Sequence, residues 1–163
     1  MTFDDLEMVF NWRNHPEIRR YMYTTHQIGF EEHKAWFERV TKDSKVELLI
    51  FEQSGIPMGF INFNDTSFSG VAEWGFYMSP IAEKGMGKRM GLEALEYGFN
   101  DRGLRKICGQ ALAFNKGSIS FHKKLGFTEE GCLREQYYDG TNYHNIICFG
   151  LLKYQWEECV LSR

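Results

Sequence analysis

Hydrophobic and polar positions recur along this chain in two rhythms. From Val71 to Met78 the period is two: Ala72, Trp74, Phe76 and Met78 fall on one face and Val71, Glu73, Gly75 and Tyr77 on the other, as in a pleated strand. From Phe30 to Lys42 the rhythm is helical. Phe30, His33, Trp36, Phe37 and Val40 form one stripe, with Glu31 and Glu32 in the first turn, where the helix dipole favours carboxylates. A helical stripe also opens the chain, where Thr2, Asp4 and Asp5 give a capped start and Leu6, Val9, Phe10 and Trp12 follow. Pro16 ends it, because the residue before a proline is pushed out of the helical region. Pro16 itself suits the first position of a second short helix reaching Met22.

The remaining segments alternate between strands and helices. Val46–Glu52 and Met58–Phe63 read as strands around the turn Gln53-Ser54-Gly55-Ile56-Pro57. Leu104–Ala113 is a further strand, and Asn115 can cap a helix that runs through Leu125 and stops at Gly126. Phe127–Tyr138 and Tyr143–Lys153 read as two last strands around Asp139-Gly140-Thr141, a turn that favours antiparallel pairing. The order is ααβββαβαββ. It implies one α/β (α+β) domain over residues 1–163, a mixed central sheet with helices on both faces.

Between the alternating strand and the helix from about Gly87 lies Pro80-Ile81-Ala82-Glu83-Lys84-Gly85-Met86-Gly87, with Lys88 and Arg89 following. Glycine lets backbone approach a ligand closely, and a helix start presents unpaired N–H groups and a positive dipole end. The stretch is either an anion cradle or a plain turn. It is neither the dinucleotide fingerprint, since Gly91 comes one place late, nor a P-loop, since Lys88 is out of that spacing.

Net charge of −3 argues against a general nucleic-acid coat, so the lysines at the loop form a local patch. Aromatic residues make up 16%, enough for some rings to line a pocket as well as fill the core. Cys108, Cys132, Cys148 and Cys159 form no CxxC and no metal-ligand pairing with histidine, and read as free thiols of a reducing compartment. No run approaches a membrane span and no signal peptide is evident, so a cytoplasmic protein without membrane partners is expected.

Three clusters carry candidate chemistry. Arg13, Arg19 and Arg20 lie near Tyr21, Met22 and Tyr23, as a solvated turn or as a pocket in which a guanidinium grips phosphate while a ring stacks on a base. His33 points inward, as a hydrogen-bonded core histidine or as a ligand contact. Asn115, Ser118 and His122 share a helix face that meets solvent or one wall of a cleft.

The glycine loop between strand and helix, together with Asn115-x-x-Ser118-x-x-x-His122-x-Lys124-x-Gly126-Phe127, resembles the acetyl-CoA-binding half of the GNAT superfamily of N-acyltransferases over about residues 58–153. Trp12-Arg13-Asn14-His15-Pro16-Glu17-Ile18 and Phe149-Gly150-Leu151-Leu152-Lys153 look like the nucleotide-sugar N-acetyltransferases of pseudaminic acid biosynthesis. Those enzymes acetylate the 4-amino group of a UDP-linked amino sugar used to glycosylate flagellin. The ribosomal-protein N-terminal acetyltransferases are near relatives.

The resemblance implies acetyl-CoA as co-substrate and no metal. It places the pyrophosphate on Lys84, Gly85, Met86, Gly87 and Lys88, and the pantetheine along Phe76, Tyr77 and Met78, with Asn115, Ser118 and His122 on its other side. It assigns the acceptor side to Arg13, Met22, Tyr23, His33, Trp36 and Glu73, and leaves room for a homodimer. Three departures stand out. Ala82 occupies the place where the family has Gln or Arg, His122 stands where it often has the tyrosine that protonates the thiolate, and the usual strand before the first helix is missing.

The implied chemistry is direct attack of an amine on the thioester. Glu73 is the base candidate, or else it satisfies a neighbouring group; His122 is the acid candidate with Tyr138 in reserve, and a backbone N–H near Tyr77 or Met78, on the strand floor, polarises the carbonyl. Competing readings are a polyamine or protein N-terminal acetyltransferase, which would want acidic residues at the acceptor mouth, and a non-catalytic acyl-CoA sensor.

Overall fold

Ser54 and Gly55, at φ 53° and 76°, both adopt the left-handed conformation that a two-residue hairpin turn requires. They join β1 (Val46–Gln53) to β2 (Ile56–Asp65), whose antiparallel register runs from Val46 opposite Asn64 to Gln53 opposite Ile56. A computed structural model describes residues 1–161. Its sheet has six strands in the order β1-β2-β3-β4-β6-β5, where β3 is Val71–Met78, β4 Lys106–Leu112, β5 Thr128–Tyr138 and β6 Tyr143–Leu152. β3 and β4 are parallel, Val71 opposite Lys106 through Glu73 opposite Cys108, whereas β4 with β6 and β5 with β6 are antiparallel. The mixed α/β sheet expected from the alternating patterns is thus observed.

Helices α1 (Leu6–Asn14), α2 (Pro16–Arg19) and α3 (Phe30–Val40) precede the sheet, the three helical segments expected there and one more than the order ααβββαβαββ counts. α4 (Met86–Glu96) continues into a π-helical turn, Tyr97–Asp101, and α5 spans Lys116–Leu125. A last helix, α6 (Lys153–Leu161), was not anticipated: β6 passes into it without a breaking residue, and Gln155 Oε1 accepts from the Leu152 amide at 3.1 Å.

The described residues fall into two compact units. The first comprises Met1–Asn64 with Gly75–Met90, and the second Asp65–Trp74 with the chain from Gly91 on. In the first unit Val9, Trp12 and Phe60 form a buried cluster, against which Ile18, Trp36, Leu48, Ile50 and Tyr77 pack. In the second, α4 and α5 meet where Gly91 has no side chain: a Cβ there would stand 2.7 Å from Leu125 Cδ1 and Phe121 Cζ. The core continues through Leu95, Phe99, Ile107 and Leu151, with Trp156 packed on Phe99 at 5.4 Å between ring centroids. No described helix is long and apolar enough to cross a membrane.

Candidate active site

The break that Pro16 imposes after α1 turns the chain back along that helix, and hydrogen bonds pin it there. Asn14 donates to the Ile28 carbonyl at 3.0 Å and accepts from the Ile28 amide at 2.9 Å, while Arg13 Nη2 donates to the Thr24 carbonyl at 2.9 Å. Glu32, in the first turn of α3, accepts from the Gly29 amide at 3.4 Å and pairs with His26 at 3.2 Å. The result, within the first unit, is a cavity of about 440 Å³ lined by Arg13, Met22, Thr24, Ile28, Glu32, His33, Trp36, Arg39, Phe60, Asn62 and Tyr77. That size is ordinary for a small-molecule site.

Its walls are flat rings. His33 stacks on Trp36 (5.1 Å, 22°), and Tyr77, reaching in from β3, stacks on Phe60 (4.9 Å, 24°). Asn62 fits because its neighbour on β3 is Gly75, where a Cβ would come within 2.5 Å of Asn62 Oδ1. Burial holds the Tyr77 phenol well above its ordinary pKa, against the pull of the Arg13 charge. Burial also lowers the pKa of Arg13, and that of His33, whose bond to the Leu6 backbone works the other way. His33 is only 3% exposed. Two polar atoms are enclosed here without a partner, Arg13 Nη1 and His33 Nε2.

Of the acceptor-side residues expected from the sequence, the structure brings Arg13, Met22, His33 and Trp36 together with Tyr77. Tyr23 is 52% exposed and Glu73 is exposed, and neither is among the lining residues. Glu73 lies four residues before Tyr77 on the same face of β3, about 13 Å along the strand, and accepts from Gln110 Nε2 at 3.4 Å. Sequence reasoning missed Arg39, Phe60 and Asn62. Glu32, Trp36 and Arg39 are spaced i, i+4, i+7, so their shared face was available to find, and Asn62 is a polar residue between Ile61 and Phe63.

The glycine loop follows β3 in the same unit. The Ser79 amide donates to the Met58 carbonyl at 2.8 Å, and tight turns bring the Ala82 amide to Ser79, that of Met86 to Glu83 and that of Lys88 to Gly85. Gly85 sits at φ +100° with open space where a Cβ would point. α4 opens at Met86, with Lys84, Lys88 and Arg89 exposed around its start; Arg89 also donates to Gln53 at 2.6 Å. Bare backbone, a helix start and flanking ammonium groups fit a pyrophosphate.

The polar stripe of α5 is not what its spacing suggested. Asn115 caps the helix, its Oδ1 accepting from the Ser118 amide at 3.0 Å. His122 is 1% exposed in the core of the second unit, stacked on Phe149 at 4.7 Å. Its Nε2 accepts from Trp74 Nε1 at 3.1 Å, and its Nδ1 is 2.8 Å from the Ser118 carbonyl. The ring is therefore neutral with its proton on Nδ1, and burial pushes its pKa down to about 4. An imidazole so engaged has no proton to offer a ligand, which corrects the role of acid expected for His122. Among the cysteines, burial raises the thiol pKa of Cys108 and Cys148, so neither is primed as a nucleophile.

Comparison with known proteins agrees with this architecture. The acetyltransferase (GNAT) domain family matches residues 1–128. The acetyltransferase PseH of Campylobacter jejuni is 32% identical over 130 residues, covering 78% of this chain and 80% of the relative. The spermidine N(1)-acetyltransferase of Escherichia coli is 24% identical over 155 residues, covering 94% and 83%. Among solved structures, the spermidine N-acetyltransferase of Vibrio cholerae in complex with CoA and spermine superposes with a TM-score of 0.87 at 20% identity, covering 96% and 95%.

Proposed function

This chain belongs to the GNAT family and is an acetyl-CoA-dependent N-acetyltransferase; we propose that its acceptor is the 4-amino group of a UDP-linked amino sugar. That is the step of pseudaminic acid biosynthesis, in the cytoplasm, to which the N-terminal and C-terminal motifs point. The observation that carries the proposal is the ring-walled cavity built around Arg13, with Nη1 buried and unpartnered and a second guanidinium, Arg39, on the lining. Two guanidiniums repel a polyammonium and attract an anionic substituent, and the stacked rings suit a flat base. The 32% identity to the PseH acetyltransferase supports the same acceptor class.

In the proposed reaction the pyrophosphate of acetyl-CoA rests against the loop at Lys84–Lys88 and the acetyl-pantetheine lies along Phe76–Met78. The sugar amine attacks the thioester carbonyl carbon; the C–N bond forms, the C–S bond breaks, and the proton lost by nitrogen ends on the departing thiolate. Tyr77, kept as a phenol by burial, donates a hydrogen bond to the developing negative charge rather than giving up its proton. Glu73, too distant along β3 for direct contact with a group at Tyr77, serves as the base through a chain of waters, which returns the proton to the thiolate.

One observation favours a polyamine acceptor instead. Glu32 places a carboxylate on the cavity lining, where an ammonium could pair with it as His26 does. Dead-end inhibition by UDP, a fragment of the proposed acceptor, separates the two. Under the proposal UDP alone competes with the amine acceptor and not with acetyl-CoA. If UDP leaves the kinetics unchanged at millimolar concentration, the nucleotide-sugar assignment fails.

A further inference from the structure

Acetyl transfer to an amine moves two protons, and the route from Glu73 to the thiolate accounts for only one of them. A primary amine at neutral pH is an ammonium, with no lone pair for attack until a first proton has left. That proton is a net product of the reaction. Its acceptor has to take it beside the thioester and release it to solvent.

The turn between β5 and β6 holds a group of that kind. Asp139 Oδ1 accepts from the amides of Thr141 and Asn142, both at 2.8 Å, which leaves Oδ2 for His144 Nε2 at 2.5 Å. The Asn142 amide, then the imidazole and the Thr141 amide, hold the Asp139 pKa down to about 2. The carboxylate is therefore ionised and can only accept, so Nε2 carries the proton. His144 Nδ1 has no hydrogen-bond partner among the described residues, and the side chain is 23% exposed. The ring is fixed on two sides: Tyr137 on β5 stacks on it at 6.1 Å and 28°, and Phe114, after β4, meets it edge-on at 4.8 Å and 68°. The Asp139 carboxylate and the Tyr137 phenol are the titratable groups that face it there. An imidazole oriented by a carboxylate, with its other nitrogen open, is the arrangement of a general base.

Its place in the sheet suits that role. Gln110 opposite Cys148 and Leu112 opposite Ile146 carry His144 onto the sheet face of Gln110, which holds Glu73 at 3.4 Å. The Ala113 amide donates to the Asn145 carbonyl at 2.9 Å, and Phe114 is followed directly by Asn115, which the family resemblance sets against the acetyl-pantetheine.

We propose that His144, oriented by Asp139, takes the first proton of the acceptor ammonium at Nδ1, holds it through the attack and then releases it to solvent. The N–H bond breaks, its electron pair stays on nitrogen as the nucleophile, and an Nδ1–H bond forms; the second proton leaves nitrogen after attack and reaches the thiolate. His144 is then a catalytic base and Asp139 its positioning residue. The inference rests on acetyl-pantetheine lying beside Asn115, as in the proposed reaction, and not on which amine accepts.

The test is the pH profile of kcat/KM for the full chain, with a UDP-4-amino sugar and with spermidine, in wild type, His144→Gln and Asp139→Asn. Calorimetry of acetyl-CoA binding runs beside it. With the proton kept on His144, the wild-type profile is flat between the titration of the imidazole and that of the acceptor amine. His144→Gln has to wait for free amine, so it is about 100-fold slower near pH 7 and gains about tenfold per pH unit until the amine titrates. Asp139→Asn loses about tenfold and keeps the flat profile. A tenfold rise per pH unit already in wild type, or a His144→Gln profile parallel to wild type, overturns the proposal. Should His144→Gln lose acetyl-CoA affinity, His144→Phe, which keeps a ring between Tyr137 and Phe114, is read by the same criterion. Turnover of spermidine alone would sink the nucleotide-sugar reading and leave the role of His144 to be decided on the spermidine profile. Turnover of the sugar with parallel profiles would do the reverse.

Discussion

Trp74 donates its indole N–H to His122 Nε2 at 3.1 Å, in a space that exists because residue 109 is glycine. A Cβ on Gly109 would stand 2.7 Å from Trp74 Nε1 and collide with the His122 ring. The residue that the family resemblance placed at the reaction is thereby a member of the core. Gly109→Ala is expected to destabilise the fold by about 2 kcal/mol, by overpacking and by parting the pair. Urea unfolding measures it; a midpoint equal to wild type would show that the pair relaxes around the methyl group.

Because His122 is neutral when folded, with its pKa lowered from 6.5 to about 4, the unfolded chain binds a proton between these values that the folded chain refuses. Stability therefore falls as pH falls through that window, by about 3 kcal/mol in full. His33, lowered for the same reason of burial, adds to the slope with the same sign. Subtracting the pH dependence of His122→Phe from that of wild type isolates the His122 part. An unchanged slope in the variant would mean that His122 is not held neutral.

Tyr77→Phe keeps the stack on Phe60 and removes only the phenolic donor. kcat should drop by about 100-fold while the dissociation constant of acetyl-CoA, read by calorimetry, stays within about twofold. Loss of cofactor binding together with rate would make Tyr77 a packing residue only.

At the loop, Gly85 holds φ +100°, a conformation that side chains avoid even where, as here, there is room for one. Gly85→Val should weaken acetyl-CoA through the backbone, by about 1–3 kcal/mol, whereas Lys84→Ala together with Lys88→Ala should weaken it in a salt-dependent way. Equal affinities in both variants and wild type would move the pyrophosphate elsewhere.

Much of this was legible in the sequence because it was local. The period-two strand, the Ser54-Gly55 and Asp139-Gly140 turns, the Asn115 cap and the glycine loop each declare themselves within a few residues. What failed was long-range. A helical face shows which residues travel together but not what they meet, so Asn115, Ser118 and His122 read as a wet stripe. Trp74, 48 positions before His122, and Phe149 on β6 hold that histidine inward. The same limit hid Asn62, whose place in the cavity depends on the glycine facing it across the strands. α6 escaped because β6 runs into it with no proline or glycine to mark the change.

The most direct measurement is thiol release from acetyl-CoA with the acceptors side by side: a UDP-4-amino sugar, spermidine and an N-terminal peptide, each with wild type and Arg13→Ala. The account predicts turnover with the UDP-amino sugar, little with the other two, and a loss of about 100-fold in kcat/KM for the sugar in Arg13→Ala with acetyl-CoA affinity retained. Efficient turnover of spermidine, unaffected or improved by removing Arg13, would contradict it.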